Sequence, residues 1–356
     1  VKGLSRRRFI KLCSATAAGL GLARIPVPSV AEAFTAASKG KPVVLWLQGA
    51  SCSGCTSSLL NSTYPELRQL LQDIIQMKFH PGLTVNPNPL PAEELLKIAQ
   101  EYAERFILLV EGAVPTAGNG AFCLAGKIGG RGLTFMELVK NLGQRAKMVV
   151  ALGTCASYGG VAAAKPNPAG CVGVNTVIAS DKVLNIPGCP PHPDWIIGSL
   201  AYSLMYGKMP PRDDFGRVLM FYGGVIHDNC PRRQYFDNSK FALKFGEMGC
   251  LLELGCRGPM AFADCSNRQW NTGKNWCIRS GGPCLSCTHP NFPDGTSPVY
   301  ERMPNVSVMG ITTTADTIGK IAGTVTALGV GAHFAGNILA GRNGSKKQPP
   351  VNGGGQ

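Results

Sequence analysis

Fourteen cysteines constrain this chain more than any other feature. Cys13 lies near the start, which leaves thirteen in the body. An odd number cannot pair off completely as disulfides, and 356 residues is far longer than a disulfide-stapled mini-domain. Spacing favours metal ligation instead. Cys284 and Cys287 form a C-x-x-C pair, and Cys277 stands seven residues before it. Whether Cys277 is a ligand, a disulfide half or a spare thiol depends on the rest of the chain.

Composition supports a folded core, with 44% hydrophobic and only 16% charged residues. The net charge of +14 is concentrated at the ends: +5 falls in residues 1–33 and +3 after Ala340, which leaves +6 for the body. No dense basic stripe with interleaved aromatics occurs there, so nucleic-acid binding is excluded.

Both ends read as targeting segments. "SRRRFIKL" at Ser5–Leu12 precedes an apolar stretch of small residues and an A-x-A site at Ala31–Ala33. The Arg6-Arg7 pair, followed by Phe9 and Lys11, resembles a twin-arginine export signal. Residues 1–33 are therefore expected to be a signal peptide. Such a signal suits a protein that folds and loads its cofactors before export. Near the other end, Ile321–Ala340 carries no formal charge, and Arg342, Lys346 and Lys347 follow at once. Twenty helical residues span about 30 Å, the hydrocarbon thickness of a bilayer. A membrane helix over 317–341 is expected, with its basic end cytoplasmic and the body on the periplasmic side. Residues 342–356 read as a disordered tail.

Residues 41–215 alternate strand and helix patterns. Apolar runs at Pro42–Gly49, Ile75–His80, Phe106–Pro115, Ala146–Thr154 and Lys182–Gly188 suit buried parallel strands. Polar stretches with helical periodicity lie between them. The pattern predicts an α/β fold, a doubly wound parallel sheet of flavodoxin-like class. After Phe215 the alternation fades, and Gly, Pro and Cys dominate. Residues 216–310 are expected to form a loop-rich domain held together by inorganic clusters, because metal–ligand bonds can replace core burial.

Ligands of such sheets sit beyond the carboxyl ends of the strands. Cys52 and Cys55 follow the first strand, Cys155 the fourth and Cys189 the fifth. The first turn reads "GASCSGC" and lacks a G-x-G-x-x-G nucleotide fingerprint. These four thiols form a first set. His227, Cys230, Cys250 and Cys256 form a second, and Cys265, Cys277, Cys284 and Cys287 a third. By count alone each set suits either a [4Fe–4S] cubane or tetrahedral zinc. A structural zinc protein is one reading of the pattern, and a redox relay is the other.

Several motifs, in order, resemble the small subunit of a [NiFe] hydrogenase along nearly the whole chain. They are "CSGC", "VEGAVPT", "ALGTCASYGG", "PGCPPHPDW", "HDNCPRRQYFD", "LGCRGP", "CLSC" and "NFPDG". The resemblance implies three iron–sulfur clusters: a proximal [4Fe–4S] on the first set, a distal [4Fe–4S] on the second and a medial cluster on the third. It implies an electron relay for H₂ oxidation or proton reduction, with the nickel–iron centre in a partner large subunit. Heterodimers, or dimers of them, are expected. The outer redox partner is expected to be a membrane cytochrome b, a pair of iron–sulfur and integral membrane subunits, or a periplasmic cytochrome c. The rival reading is a cluster-bearing subunit of another respiratory oxidoreductase; such subunits carry only the first cluster.

The chain departs from many relatives in two places. Where they have a proline and a medial [3Fe–4S] cluster, this chain has Cys277. A fourth thiolate is expected to complete a [4Fe–4S] cluster and lower its potential, with [3Fe–4S] as the alternative. Oxygen-tolerant relatives carry two extra cysteines where Gly54 and Gly160 stand here. An ordinary, oxygen-sensitive proximal cubane is expected. Cys123 and Cys171 remain as buried small residues, His80 and His289 as structural ones, His192 as shaping the loop around Cys189, and Glu111 as a residue of the subunit interface, with a proton-path role as the alternative.

Overall fold

The computed structural model describes residues 41–63, 65–83, 92–302, 306–308, 311–313 and 324–336. The expected signal peptide, 1–33, and tail, 342–356, lie outside these residues. One compact unit runs through Arg302, and a second begins at Met303.

The first unit is built on five parallel strands. β1 (Val43–Gln48), β2 (Gln76–Phe79), β3 (Phe106–Glu111), β4 (Met148–Leu152) and β5 (Val183–Ile186) stand in the order β2-β1-β3-β4-β5. Every neighbouring pair is parallel. This is the flavodoxin-type strand order, with its switch point between β1 and β3. Strands β1, β3, β4 and β5 are mostly apolar because both faces are covered, whereas β2 at one edge, Gln76-Met77-Lys78-Phe79, is partly exposed. On one face Val44, Trp46, Leu109, Val150 and Leu184 pack against Trp195, Ile196 and Leu200 of helix α5 (Pro193–Tyr206). On the other, Leu45, Leu47, Leu108, Val110 and Val149 pack against α2 (Ala92–Glu101) and α3 (Phe135–Arg145). A Thr134–Glu137 capping box starts α3.

Two short helices, α1 (Gly54–Leu60) and α4 (Gly153–Tyr158), leave the carboxyl ends of β1 and β4. Helical periodicity runs on past α1 in the sequence, yet the helix stops at Asn61 and helical turns resume only at Leu67. Pro65 lies in the break and cannot continue a helix interior.

Between 207 and 302 no described helix or strand exceeds five residues. The segment nonetheless shares the core of the sheet: Tyr222, Ile226, Leu251, Trp276 and Ile278 join the α5 face. In the second unit, Val306–Val308 pairs antiparallel with Ile311–Thr313, and residues 324–336 are helical and exposed. Among the described residues no helix is long and apolar enough to cross a membrane. The predicted membrane helix, 317–341, extends at both ends into residues outside the described ones.

Candidate metal centres

The first cysteine set forms where the parallel strands end. Cys52 lies in the β1–α1 turn, Cys55 in the first turn of α1, Cys155 in α4, and Cys189 follows β5. The β1–α1 turn is anchored by Glu111, the last residue of β3, which is only 1% exposed. Its Oε1 accepts from the backbone N–H groups of Cys55 at 3.1 Å and Thr56 at 3.3 Å. Its Oε2 accepts from Trp46 Nε1 at 3.1 Å, Gln48 Nε2 at 3.0 Å and Thr56 Oγ1 at 2.5 Å. The sequence placed Glu111 in the subunit interface; the structure buries it inside this chain.

Burial pushes the Cys55 thiol well up, and the charges of Glu111, Cys155, Cys52 and Cys189 add to the shift. All three other cysteines of the set therefore lie within electrostatic reach of Cys55. Such a group is stable as thiolates only beside a compensating cation. Glycines shape the cradle. A Cβ on Gly153, at φ +83°, would lie 2.6 Å from Cys55 Sγ. One on Gly160, at φ +51°, would lie 2.7 Å from Cys155 N. Gly153→Ala is expected to cost at least about 1 kcal/mol from the left-handed backbone alone, and to displace Cys55. The measurements are melting temperature and iron retained by the first set; unchanged iron would show that the cradle tolerates a methyl group.

The second set lines one small cavity of ≈ 10 Å³ that includes His227, Cys230, Cys250 and Cys256, closed by Ile226, Leu251 and Ile278. Burial is the main cause pushing all three thiols up. Burial, and then Arg233, hold His227 below its ordinary range, so the imidazole is neutral at pH 7 and able to ligate. Its ring meets Phe236 edge-on at 4.6 Å. Cys250 is held by a bridge to Phe241, where Gly249 allows close approach: a Cβ there would lie 2.6 Å from Ala242 N.

In the third set, burial pushes Cys265 well up, followed by the charges of Cys287, Cys284, Asp264 and Cys277. Cys287 is pushed up to about 12, mainly by burial. Cys277 is exposed as a residue, yet burial around its sulfur still pushes its thiol up. This set, last in the sequence, lies between the other two. On one side Cys287 lies within electrostatic reach of Cys189. Thr154 Oγ1 donates to the Cys287 carbonyl and accepts from Gly188 N at 2.9 Å. On the other side Cys284 feels Cys256, and its carbonyl accepts from Arg257 N at 2.6 Å.

Among the described residues, no group of three or more His, Cys, Asp or Glu is gathered tightly enough for a single metal ion. Eleven thiols and one imidazole, in three sets of four, fit iron–sulfur clusters by donor type and number.

The remaining candidates have local roles. Cys171 is buried opposite Pro115, and burial pushes it and Cys123 up. Buried His80 packs on Trp46 at 4.8 Å and meets Thr56 Oγ1 at 3.2 Å. His192 caps α5 by accepting from Asp194 N at 3.1 Å. His289 Nδ1 accepts from Asn291 N at 3.1 Å. Sequence reading missed the central place of Glu111; its one signal was a carboxylate closing an otherwise apolar strand.

The family model for the NADH ubiquinone oxidoreductase 20 kDa subunit matches residues 52–203, and the C-terminal model of the NiFe/NiFeSe hydrogenase small subunit matches 222–300. The second match bears on the rival respiratory-subunit reading, because it covers the half that holds the second and third sets. The periplasmic [NiFeSe] hydrogenase small subunit of Desulfomicrobium baculatum is 43% identical over 312 residues, covering 83% of this chain and 98% of that protein. The hydrogenase-1 small chain of Citrobacter freundii is 36% identical over 352 residues, covering 98% and 92%. A solved structure of the D. baculatum [NiFeSe] hydrogenase superposes with a TM-score of 0.70 at 41% identity, covering 74% of this chain and 99% of that one. With its flavodoxin-type sheet and its cysteines gathered at the sheet edge and beyond, the chain belongs to the [NiFe] hydrogenase small subunits, the electron-transfer partners of a catalytic large subunit.

Proposed function

We propose that this small subunit relays electrons through three iron–sulfur clusters in a line, held by the first, third and second sets in that order. The observation that carries the reading is the central position of the third set, coupled to Cys189 through Cys287 and to Cys256 through Cys284. The proposed ligands are Cys52, Cys55, Cys155 and Cys189 for the proximal cluster. Cys265, Cys277, Cys284 and Cys287 hold the medial one, and His227, Cys230, Cys250 and Cys256 the distal one. When bound, the clusters supply one-electron centres in series. The chain's own tasks are to hold them close, exclude water and set their potentials through ligand type and hydrogen bonding.

The proximal end faces the large subunit in this reading, since Cys52 and Cys189 are exposed in the single chain. His227 marks the exit; Leu243, Phe245 and Met248, in the chain segment that leads to Cys250, are exposed. All three clusters are proposed to be [4Fe–4S]. The proximal one is an ordinary, oxygen-sensitive cubane, with glycines at 54 and 160. The proposal includes twin-arginine export and a membrane helix over 317–341, with the body on the periplasmic side exchanging electrons with a membrane cytochrome b, a pair of iron–sulfur and integral membrane subunits, or a periplasmic cytochrome c. The named relatives include a periplasmic enzyme, which supports that location.

The test is iron counting with EPR on the purified oxidised heterodimer. The expected result is about twelve cluster irons and no stoichiometric [3Fe–4S] signal. About four irons would instead leave a single cluster, as in the rival respiratory reading.

A further inference from the structure

Three buried polar atoms beside the third cysteine set have no hydrogen-bond partner: Ser266 Oγ, Trp276 Nε1 and Ser286 Oγ. Only one other such side-chain atom occurs among the described residues, Asn185 Oδ1 on β5. Each of the three belongs to a direct chain neighbour of a third-set cysteine. Ser266 follows Cys265, Trp276 precedes Cys277, and Ser286 precedes Cys287. All three residues are at least nine-tenths buried, at 7%, 4% and 0% exposure. Burying a donor without an acceptor costs about 1–3 kcal/mol. A native chain keeps three of them around one site only where an acceptor meets them.

Ser286 makes the sharpest case. Its φ is 55°, in the left-handed region where glycine is free of strain and a β-carbon costs about 1–2 kcal/mol. Its backbone N–H is already engaged, donating to Cys284 Sγ at 3.4 Å. The chain thus carries both a strained backbone and an unpaired hydroxyl at one position of the C-x-x-C loop, where glycine would impose neither.

We propose that Ser286 donates a hydrogen bond to the cluster held by the third set, and that Ser266 and Trp276 complete a ring of donors that raises its reduction potential. The inference rests on the cluster assignment proposed above. Reduction adds an electron to an already anionic cluster, so donors on its sulfurs favour the reduced state. A fourth thiolate from Cys277 acts in the opposite direction. The donors offset it, and keep the middle of the relay from becoming an uphill step between its neighbours.

The test is an EPR-monitored redox titration of the heterodimer, with pulsed EPR after exchange into D₂O. Ser286→Gly is expected to keep its iron and melt no lower than the parent, because the strained backbone is relieved. The reduction equilibrium of the third cluster should still shift about ten-fold toward the oxidised form, which is 59 mV for a one-electron couple. An exchangeable deuteron coupling should vanish. Ser286→Ala retains the strain and should give the same shift. A shift in only one of the two variants, or in neither, would overturn the proposal, since backbone geometry rather than the hydroxyl would then decide. If a serine variant loses iron, Trp276→Phe decides: an unchanged potential there overturns the donor ring. A parent protein with no third cluster at all would instead overturn the cluster assignment.

Discussion

Cys277→Ala is expected to remove one iron from the third cluster and to produce a [3Fe–4S] EPR signal of near-stoichiometric intensity in the oxidised heterodimer. The thiol of Cys277 acts electrostatically on Cys265, Cys284 and Cys287, so it belongs to their group although the residue is exposed. Three thiolates hold three irons and leave the fourth corner without a protein ligand. Loss of one thiolate also removes negative charge, so the potential of the cluster should rise. Iron counting before and after the substitution reads the effect directly. An unchanged iron count and spectrum would show that Cys277 is a bystander thiol.

Glu111→Ala should be the most destabilising single change near the first set. It leaves Trp46 Nε1, the Thr56 hydroxyl and the backbone N–H groups of Cys55 and Thr56 without their acceptor. Each buried orphan costs about 1–3 kcal/mol, and neighbours do not add fully, so the expected loss is about 3–5 kcal/mol. For a unit of this size that lowers the melting temperature by about 10 °C. The turn that presents Cys52 and Cys55 loses its anchor, so iron should leave the first set before the others. Glu111→Gln keeps the shape and one acceptor oxygen, and its loss should be smaller. Thermal denaturation with iron analysis of each variant checks both effects. A loss below about 1 kcal/mol for the alanine variant would mean that water replaces the carboxylate.

Much of the sheet was legible in the sequence because its signals are local. Short apolar runs separated by helical periodicity mark buried parallel strands, and all five occur within the predicted runs. The observed strands are shorter: the run Phe106–Pro115 yields β3 only as far as Glu111, since Gly112 turns at φ +88°. The first four cysteines were then legible at one edge, because strand ends in a parallel sheet share a side. The end of α1 was not legible, since periodicity carries no penalty for the proline that interrupts it.

The chain by itself determined the sheet, the residue types of the proposed ligand sets and, through its motifs, the family. Tertiary structure alone decided which sets are neighbours, that Glu111 turns inward to hold the Cys55 loop, and that Ser286 stands strained and unpaired beside Cys284. Strand and helix periods are set within a few residues. The meeting of Cys189 with Cys287, or Glu111 with Cys55, is set by packing between segments dozens of residues apart, and no local pattern encodes that.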